Sequence, residues 1–277
     1  MRLVLFGYGF LGRAVARRAL AEGWSAAAIV RGEDGADLAR SDGVVPLPLA
    51  DRATSRDAAE AADALLVTAP PGEDGCPGLA ALDGALPGRW VGYLSTTGVY
   101  GDHAGGWVFE ETALTPKSAE ARRRVAAEAA WGAASDALRI FRLPGLYGAG
   151  RSAFDRLREG TARRIVRPGQ LFSRLHIDDG AVAILAAMSG RGSPGAYNLC
   201  DDLPAPNADV IAHAAGLIGL PVPPAEDFET ADLSPASRRF YGESKRVSNA
   251  RAKAALDWRP ALPTYREGLA AILAAGG

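Results

Sequence analysis

Cysteine and lysine are the scarce residues of this 277-residue chain, which has only Cys76 and Cys200 and only Lys117, Lys245 and Lys253. Two cysteines cannot build a disulfide framework, and neither has a Cys-x-x-Cys partner for a metal. His103, His176 and His213 are scattered singly, so no metal is expected. No apolar run approaches the roughly 18 residues of a membrane-spanning helix. Residues 1–6 look like the start of a leader, but Gly7, Gly9 and Arg13 interrupt them before an apolar segment forms. An excess of either charge is missing too: 31 basic against 32 acidic residues leave a formal net charge of -1. That gives no electrostatic reason to bind nucleic acid or an anionic membrane. What remains is 48% apolar and 23% charged, the composition of a soluble globular protein with a large core. The cytoplasm is its expected location.

The chain opens on a strand candidate, 3–6, followed by Gly7-Tyr8-Gly9-Phe10-Leu11-Gly12 and by Leu11, Val15 and Leu20 at roughly helical spacing. A strand, Gly-x-Gly-x-x-Gly and a helix are what dinucleotide binding requires. The first glycine allows a tight turn, the second lets backbone approach a pyrophosphate, and the third lets helix and strand pack closely. The phosphates would lie over free N–H groups of Phe10, Leu11 and Gly12 at the positive end of the helix. A second strand, 26–30, completes the βαβ unit. A plain βαβ turn without a ligand is the other meaning of the same spacing.

Residues 31–35 form a polar turn before a short helix, 44–47 a third strand and 53–62 a helix. The nearly unbroken apolar run 63–68 suits a strand covered on both faces. A loop follows over 72–78. A strand at 90–94 runs into Ser95-Thr96-Thr97-Gly98-Val99-Tyr100-Gly101, 102–115 is a long polar loop, and a helix spans 116–132 with Pro116 at its start. A sixth strand covers 137–141. Strands alternating with helices imply an α/β fold, a Rossmann-type doubly wound parallel sheet. After Pro144, prolines divide the chain into short pieces, among them a helix capped by Asp178 or Asp179 and a strand at 196–200. The expected organisation is a dinucleotide-binding domain over 1–150, joined by late elements near 176–200, and a smaller, interleaved α+β substrate lobe over 151–277.

Gly7-Gly9-Gly12, the Ser95 to Gly101 segment and a helix about twenty residues later resemble an extended or atypical short-chain dehydrogenase/reductase of the NAD-dependent epimerase/dehydratase type. Arg142-Leu143-Pro144-Gly145-Leu146-Tyr147-Gly148, Leu175-His176-Ile177-Asp178-Asp179, Leu256-Asp257-Trp258-Arg259-Pro260 and Arg266-Glu267-Gly268-Leu269 extend the resemblance over nearly the whole chain in family order. It implies a nicotinamide cofactor, a small-molecule substrate and an active site of Ser/Thr, Tyr and Lys, with Tyr and Lys four apart on one helix face. The chain departs from that pattern. Phe6 stands where the fingerprint carries another glycine, and counting back from Glu128 puts Arg124 at the lysine position and Glu120 at the tyrosine position. A literal Tyr241-Gly242-Glu243-Ser244-Lys245 lies more than a hundred residues after the Ser/Thr turn, in a loop and short strand. It is read as coincidence, or else as Tyr241 folded back over the nicotinamide.

Thr96 aligns with the family's catalytic Ser/Thr, its hydroxyl bonding either a substrate carbonyl or its own backbone. Tyr100, of the Val-Tyr-Gly turn, is the other candidate for proton transfer. Glu120 and Arg124 are an i,i+4 ion pair on a solvated helix, or Arg124 touches the ribose or a phosphate as a permanent cation. Arg31 ends the second strand where NAD-specific sites carry a carboxylate, and an arginine there suits a 2′-phosphate, so NADP is favoured over NAD. The resemblance places an adenine contact at Asp51. Ala69, Pro70, Thr96 and Pro144 lie at the carboxyl ends of strands, where such sheets bind ligands. The function expected is that of an NAD(P)-binding oxidoreductase or epimerase-like protein; a catalytically silent dinucleotide-binding sensor is the alternative. A homodimer is left open.

Overall fold

The computed structural model describes residues 1–88 and 90–277. Its first half alternates strand and helix: β1 (Arg2–Phe6), α1 (Phe10–Ala21), β2 (Ser25–Val30), α2 (Gly32–Ser41), β3 (Val45–Pro48), α3 (Arg52–Glu60), β4 (Ala64–Val67), α4 (Pro77–Leu82) and β5 (Val91–Thr96). A 3-10 turn, Thr97–Tyr100, leads to β6 (Trp107–Val108), α5 (Ala119–Ala134) and β7 (Leu138–Leu143). Shorter pieces follow: β8 (Gly145–Tyr147), α6 (Ala153–Arg158), β9 (Arg164–Val166), β10 (Arg174–His176), α7 (Ile177–Met188), β11 (Gly195–Asn198), α8 (Asn207–Leu217), β12 (Ala225–Asp227), α9 (Pro235–Phe240), β13 (Arg246–Val247), α10 (Ala250–Leu256) and α11 (Tyr265–Ala274).

Seven strands form one parallel sheet in the order β11-β7-β5-β4-β1-β2-β3, a doubly wound Rossmann-type arrangement. Side chains alternate across a strand, so Leu3, Leu5, Ala64 and Leu66 enter one core with α1 and α7, while Val4, Phe6, Leu65 and Val67 enter the other with Tyr93 and Trp131. Helices cover both faces, which is why β4 is apolar at every position and fully buried. Strand order reverses between β1 and β4, and the glycine loop leaves β1 at that point. β11 pairs with β7 and so adds a late segment to the first-half sheet. A third core, with Phe154, Ile211, Tyr265 and Leu269, joins α6, α8 and α11.

Several boundaries differ from the sequence expectation, each for a local reason. The polar segment 31–35 is not a turn: Gly32 opens α2, and Glu33 and Asp34 favour its first turn as acidic groups at a helix N-terminus. The helix expected from Pro116 begins at Ala119 because Ser118 caps it, accepting the Ala121 N–H at 3.0 Å. Asp178 and Asp179 lie inside the first turn of α7, whose cap is His176, Nδ1 accepting the Asp178 N–H at 3.3 Å. The loop expected over 72–78 ends at Cys76, where Pro77 starts α4. The polar loop 102–115 contains β6, which pairs in parallel with β13 from the far end of the chain. No helix among the described residues is long and apolar enough to cross a membrane.

Candidate active site

The three glycines take three different positions. Gly7 turns the chain with φ +89°, and a Cβ there would lie 2.9 Å from Thr68 Oγ1 and 3.1 Å from the Ala69 nitrogen. A Cβ at Gly12 would lie 3.0 Å from Thr68 Cγ2 and 3.4 Å from Leu5 Cδ2, so glycine lets α1 lie this close to the sheet without displacing Thr68. Gly9 is the opposite case: it caps α1 in extended conformation, and a Cβ there would meet nothing within 4 Å. No side chain caps α1 and its first turn holds no acidic residue, so the N–H groups of Phe10, Leu11 and Gly12 face the space beyond Gly9 without an intrahelical acceptor. Backbone donors, helix dipole and open space together suit a pyrophosphate.

A brace that sequence reading missed holds this loop. Tyr8 donates its hydroxyl to Asp42 Oδ2 at 2.9 Å, and Arg13 and Arg17 bond the same carboxylate at 2.8 Å and 2.6 Å. Burial pulls the Asp42 carboxyl upward, but these hydrogen bonds outweigh it and bring its pKa down to about 2. Arg31, exposed at the end of β2, has no hydrogen bond or ion pair among the described residues. The carboxylate nearest in sequence, Glu33, is bonded to Arg40 at 2.7 Å. Ala69 is half-buried beside Gly7, its N–H donated to the Phe6 carbonyl, and Pro70 is exposed. The Asp51 side chain is already engaged, since it caps α3 by accepting the Thr54 N–H and hydroxyl.

At the carboxyl end of β5, the Thr96 hydroxyl oxygen accepts the Gly98 N–H at 3.1 Å and thereby caps the 3-10 turn. Thr96 also lines a cavity of about 400 Å³, so its local bonding does not remove it from that cavity wall. Behind it lies a buried polar network. Ser95 donates to Glu128 Oε1 at 2.5 Å, Arg142 bonds Glu128 Oε2 at 2.8 Å, and Arg142 Nη1 reaches the Tyr100 oxygen at 2.9 Å. Tyr100 in turn donates to Asn198 Oδ1 at 2.7 Å and is fully buried. The structure therefore removes Tyr100 from the catalytic candidates: its proton is committed to Asn198 and its side chain does not border the cavity.

The other walls come from distant parts of the chain: Ser118 and Glu120 from α5, Pro144 and Gly145 after β7, Leu171, Phe172 and Ser173, and Arg239, Phe240, Glu243, Lys245 and Val247. The Tyr241-x-x-x-Lys245 segment is split between two environments. Tyr241 is buried edge-on to Phe172 at 5.3 Å and beside Phe228 at 5.6 Å, away from the cavity, which excludes the reading that folds it over a nicotinamide. Lys245 borders the cavity, its ammonium donating to the Gly101 carbonyl and to Glu243 Oε2. No local signal marks Phe172, Ser173, Arg239, Phe240 or Glu243 as site residues, because the β6–β13 pairing and the loop before β10 bring them in.

No family model matches the chain. A solved structure of a functionally unknown conserved protein from Silicibacter pomeroyi is 45% identical, with a TM-score of 0.92, over 99% of this chain and 98% of that one. The chain belongs to that protein's family. Its structural neighbours are members of the NAD-dependent epimerase/dehydratase family. A Methylobacillus flagellatus protein assigned as an NAD-dependent epimerase/dehydratase is 26% identical with a TM-score of 0.73, over 99% of this chain and 98% of that one. The human epimerase family protein SDR39U1, solved with NADPH, shares the fold at 18% identity and a TM-score of 0.78, over 98% and 99% of the two chains. Among curated proteins, a 3-diazoavenalumate denitrifying reductase from a Streptomyces species is 33% identical over 102 residues, 35% of this chain and 32% of that protein. The match thus spans about a third of the reductase.

Within this epimerase/dehydratase-type fold, α5 presents Glu120 and Arg124 instead of a tyrosine and a lysine. They are not an ion pair. Arg124 lies over the Tyr93 ring at 5.7 Å and donates to the Leu94 carbonyl, so it is tied to the end of β5. The Glu120 carboxyl is held below its ordinary range by its own amide N–H and the Ser118 hydroxyl, with the charges of Arg239 and Arg123 adding to the effect.

Proposed function

We propose that the chain is an NAD(P)-dependent oxidoreductase or epimerase-like enzyme of the short-chain dehydrogenase/reductase superfamily, working in the cytoplasm on a small carbonyl, hydroxyl or sugar-type substrate. The observation that carries this reading is a juxtaposition at the carboxyl ends of β1, β4 and β5. An uncapped helix N-terminus with open space at Gly9 lies on the same edge of the sheet as a cavity bordered by Thr96 and Pro144. The N–H groups of Phe10, Leu11 and Gly12 would hold the pyrophosphate, and Ala69, Pro70, Thr96 and Pro144 would border the dinucleotide along the strand ends. Arg31, an unpaired arginine whose nearest carboxylate in sequence, Glu33, is bonded to Arg40, favours NADP over NAD. When bound, the nicotinamide supplies or accepts a hydride. Thr96 orients the substrate oxygen, since its hydroxyl proton is free to donate while its oxygen accepts from Gly98. Arg124 fixes the β5 end through the Leu94 carbonyl, and a guanidinium does not exchange protons as a lysine does.

One observation favours a second reading, a dinucleotide-binding module without chemistry: Arg124 is bonded to the Leu94 carbonyl, and no tyrosine stands one helical turn before it. NADPH consumption across carbonyl and sugar substrates separates the two. The enzyme reading expects turnover that Thr96→Val slows at least about tenfold, the range of a positioned hydrogen-bond donor. An unchanged rate in that variant removes Thr96 from the mechanism, and bound dinucleotide with no turnover on any substrate favours the module.

A further inference from the structure

We propose that the cavity beside Thr96 takes a flat, uncharged aryl carbonyl compound or the matching alcohol, its ring against Phe240 and its oxygen on the Lys245 ammonium. This rests on the reading above that the cavity is the substrate site, and it names the substrate class. Charge decides the first half of the inference. The ionisable side chains bordering the cavity are Glu120, Glu243, Arg239 and Lys245, two of each sign. Lys245 is bonded to Glu243 at 2.7 Å with both side chains largely buried, at 11% and 19% exposure. The charge of Arg239 bears on Glu120. An anionic group entering the cavity would meet Glu243 bonded to Lys245 and Glu120 within the field of Arg239, and a diphosphate, as on a nucleotide sugar, would have no unmatched basic pair to receive it.

A neutral oxygen fits where an anion does not. The Lys245 ammonium has three donors; the Gly101 carbonyl and Glu243 take two, and the third is left for the cavity that the side chain borders. Lys245 thereby supplies a hydrogen-bond donor to a substrate oxygen on the same wall system as Thr96, in a site whose helix offers neither Tyr nor Lys. Aromatic surface decides the second half. Phe172 and Phe240 stack with ring centroids 4.4 Å apart and 3° between planes, yet Phe240 is 56% exposed. Leu171, Val247 and Pro144 extend this apolar wall. A stacked ring pair with one ring exposed and polar groups around it is the kind of surface that a flat aromatic body covers.

The test is calorimetric titration of the NADP⁺-saturated protein with 4′-methoxyacetophenone, 4-acetylbenzoate and UDP-glucose, on wild type, Lys245→Met and Phe240→Ala. The inference expects the neutral ketone to bind at least tenfold more tightly than the carboxylate or the nucleotide sugar. Lys245→Met should weaken it tenfold or more and Phe240→Ala threefold or more, with NADP⁺ affinity unchanged in both. UDP-glucose or 4-acetylbenzoate binding as tightly as the ketone overturns it, as does unchanged ketone binding in both variants. Phe240 is exposed, so Phe240→Ala keeps the test decisive if Lys245→Met fails to fold. Titration without dinucleotide separates the two claims: a protein that takes the ketone but no NADP(H) or NAD(H) defeats the cofactor reading, whereas one that takes dinucleotide and no ketone defeats this inference.

Discussion

Substituting two glycines of the same loop should give opposite results, because one is closed in by protein and the other faces open space. In Gly9→Ala the new methyl meets nothing within 4 Å, and φ -87° is open to alanine. Reduced freedom of the unfolded chain gains roughly 0.4–1 kcal/mol. Alanine is a poorer N-cap than glycine by a similar amount. The two effects nearly cancel, so the melting temperature without ligand should move by no more than about 2 °C. In Gly7→Ala the methyl meets Thr68 Oγ1 at 2.9 Å and the Ala69 nitrogen at 3.1 Å, at φ +89°. Left-handed backbone alone costs about 1–2 kcal/mol, and relieving the contacts adds a comparable amount, for a loss of roughly 3 kcal/mol and on the order of 6–10 °C. With NADPH present the order changes. Gly9→Ala fills the space through which backbone approaches the pyrophosphate, and should lose most of the ligand-induced shift while remaining fully folded. Thermal denaturation of the wild type and both variants, with and without NADPH, reads all of this. A Gly9→Ala protein that NADPH stabilises as well as the wild type would refute the assignment of that space to the cofactor.

Two buried carboxylates predict opposite pH dependences. Burial pushes Asp201 up to about 7 against the opposing charge of Arg174, and its Oδ2 is buried without a hydrogen-bond partner. The unfolded chain releases this proton near pH 4 and the folded one near 7, so Asp201 costs stability progressively over that window, by up to about 4 kcal/mol and roughly half that after relaxation. Asp201→Asn should therefore be more stable than wild type at pH 8 and nearly equal at pH 4 in urea denaturation; a less stable variant at pH 8 would contradict the account. Asp42 runs the other way, with its folded pKa lowered to about 2. The stability it provides is present above pH 4 and lost as pH falls toward 2. Asp42→Asn should cost about 1–2 kcal/mol at pH 7, discounted for the exposure of Arg17, and the difference should narrow below pH 4. An equal loss at both pH values would show that the brace acts by shape alone.

The legible parts of this protein are those whose determinants lie close together in the chain. β1, the glycine loop and α1 are contiguous, and the roles of Gly7, Gly9 and Gly12 follow from a single turn that only one backbone path satisfies. The apolar run 63–68 marked a central strand because burial on both faces leaves no position for a polar side chain. The cavity beside Thr96 was not legible, since its walls depend on two-residue strands too short to show a period. β6 and β13 pair across more than a hundred residues, and that pairing helps carry Glu243, Lys245 and Val247 to Thr96. Lys245 stood in the right kind of motif for the wrong reason: the residue four before it, Tyr241, is buried in another cluster. Tyr100 failed as a candidate because sequence shows a phenol but not the Arg142 and Asn198 that engage it. Asp42 was invisible as a brace because its partners Tyr8, Arg13 and Arg17 lie one βαβ unit away.

The central claim is that the glycine loop cradles a nicotinamide dinucleotide with Arg31 at the 2′-phosphate. Calorimetric titration of the wild type and Arg31→Ala with NADPH and NADH tests it most directly. The account predicts that both dinucleotides bind the wild type, NADPH more tightly, and that Arg31→Ala weakens NADPH about tenfold while leaving NADH nearly unchanged. Absence of binding by either dinucleotide to the wild type would contradict the cradle, and equal losses for both in Arg31→Ala would contradict the role of that arginine.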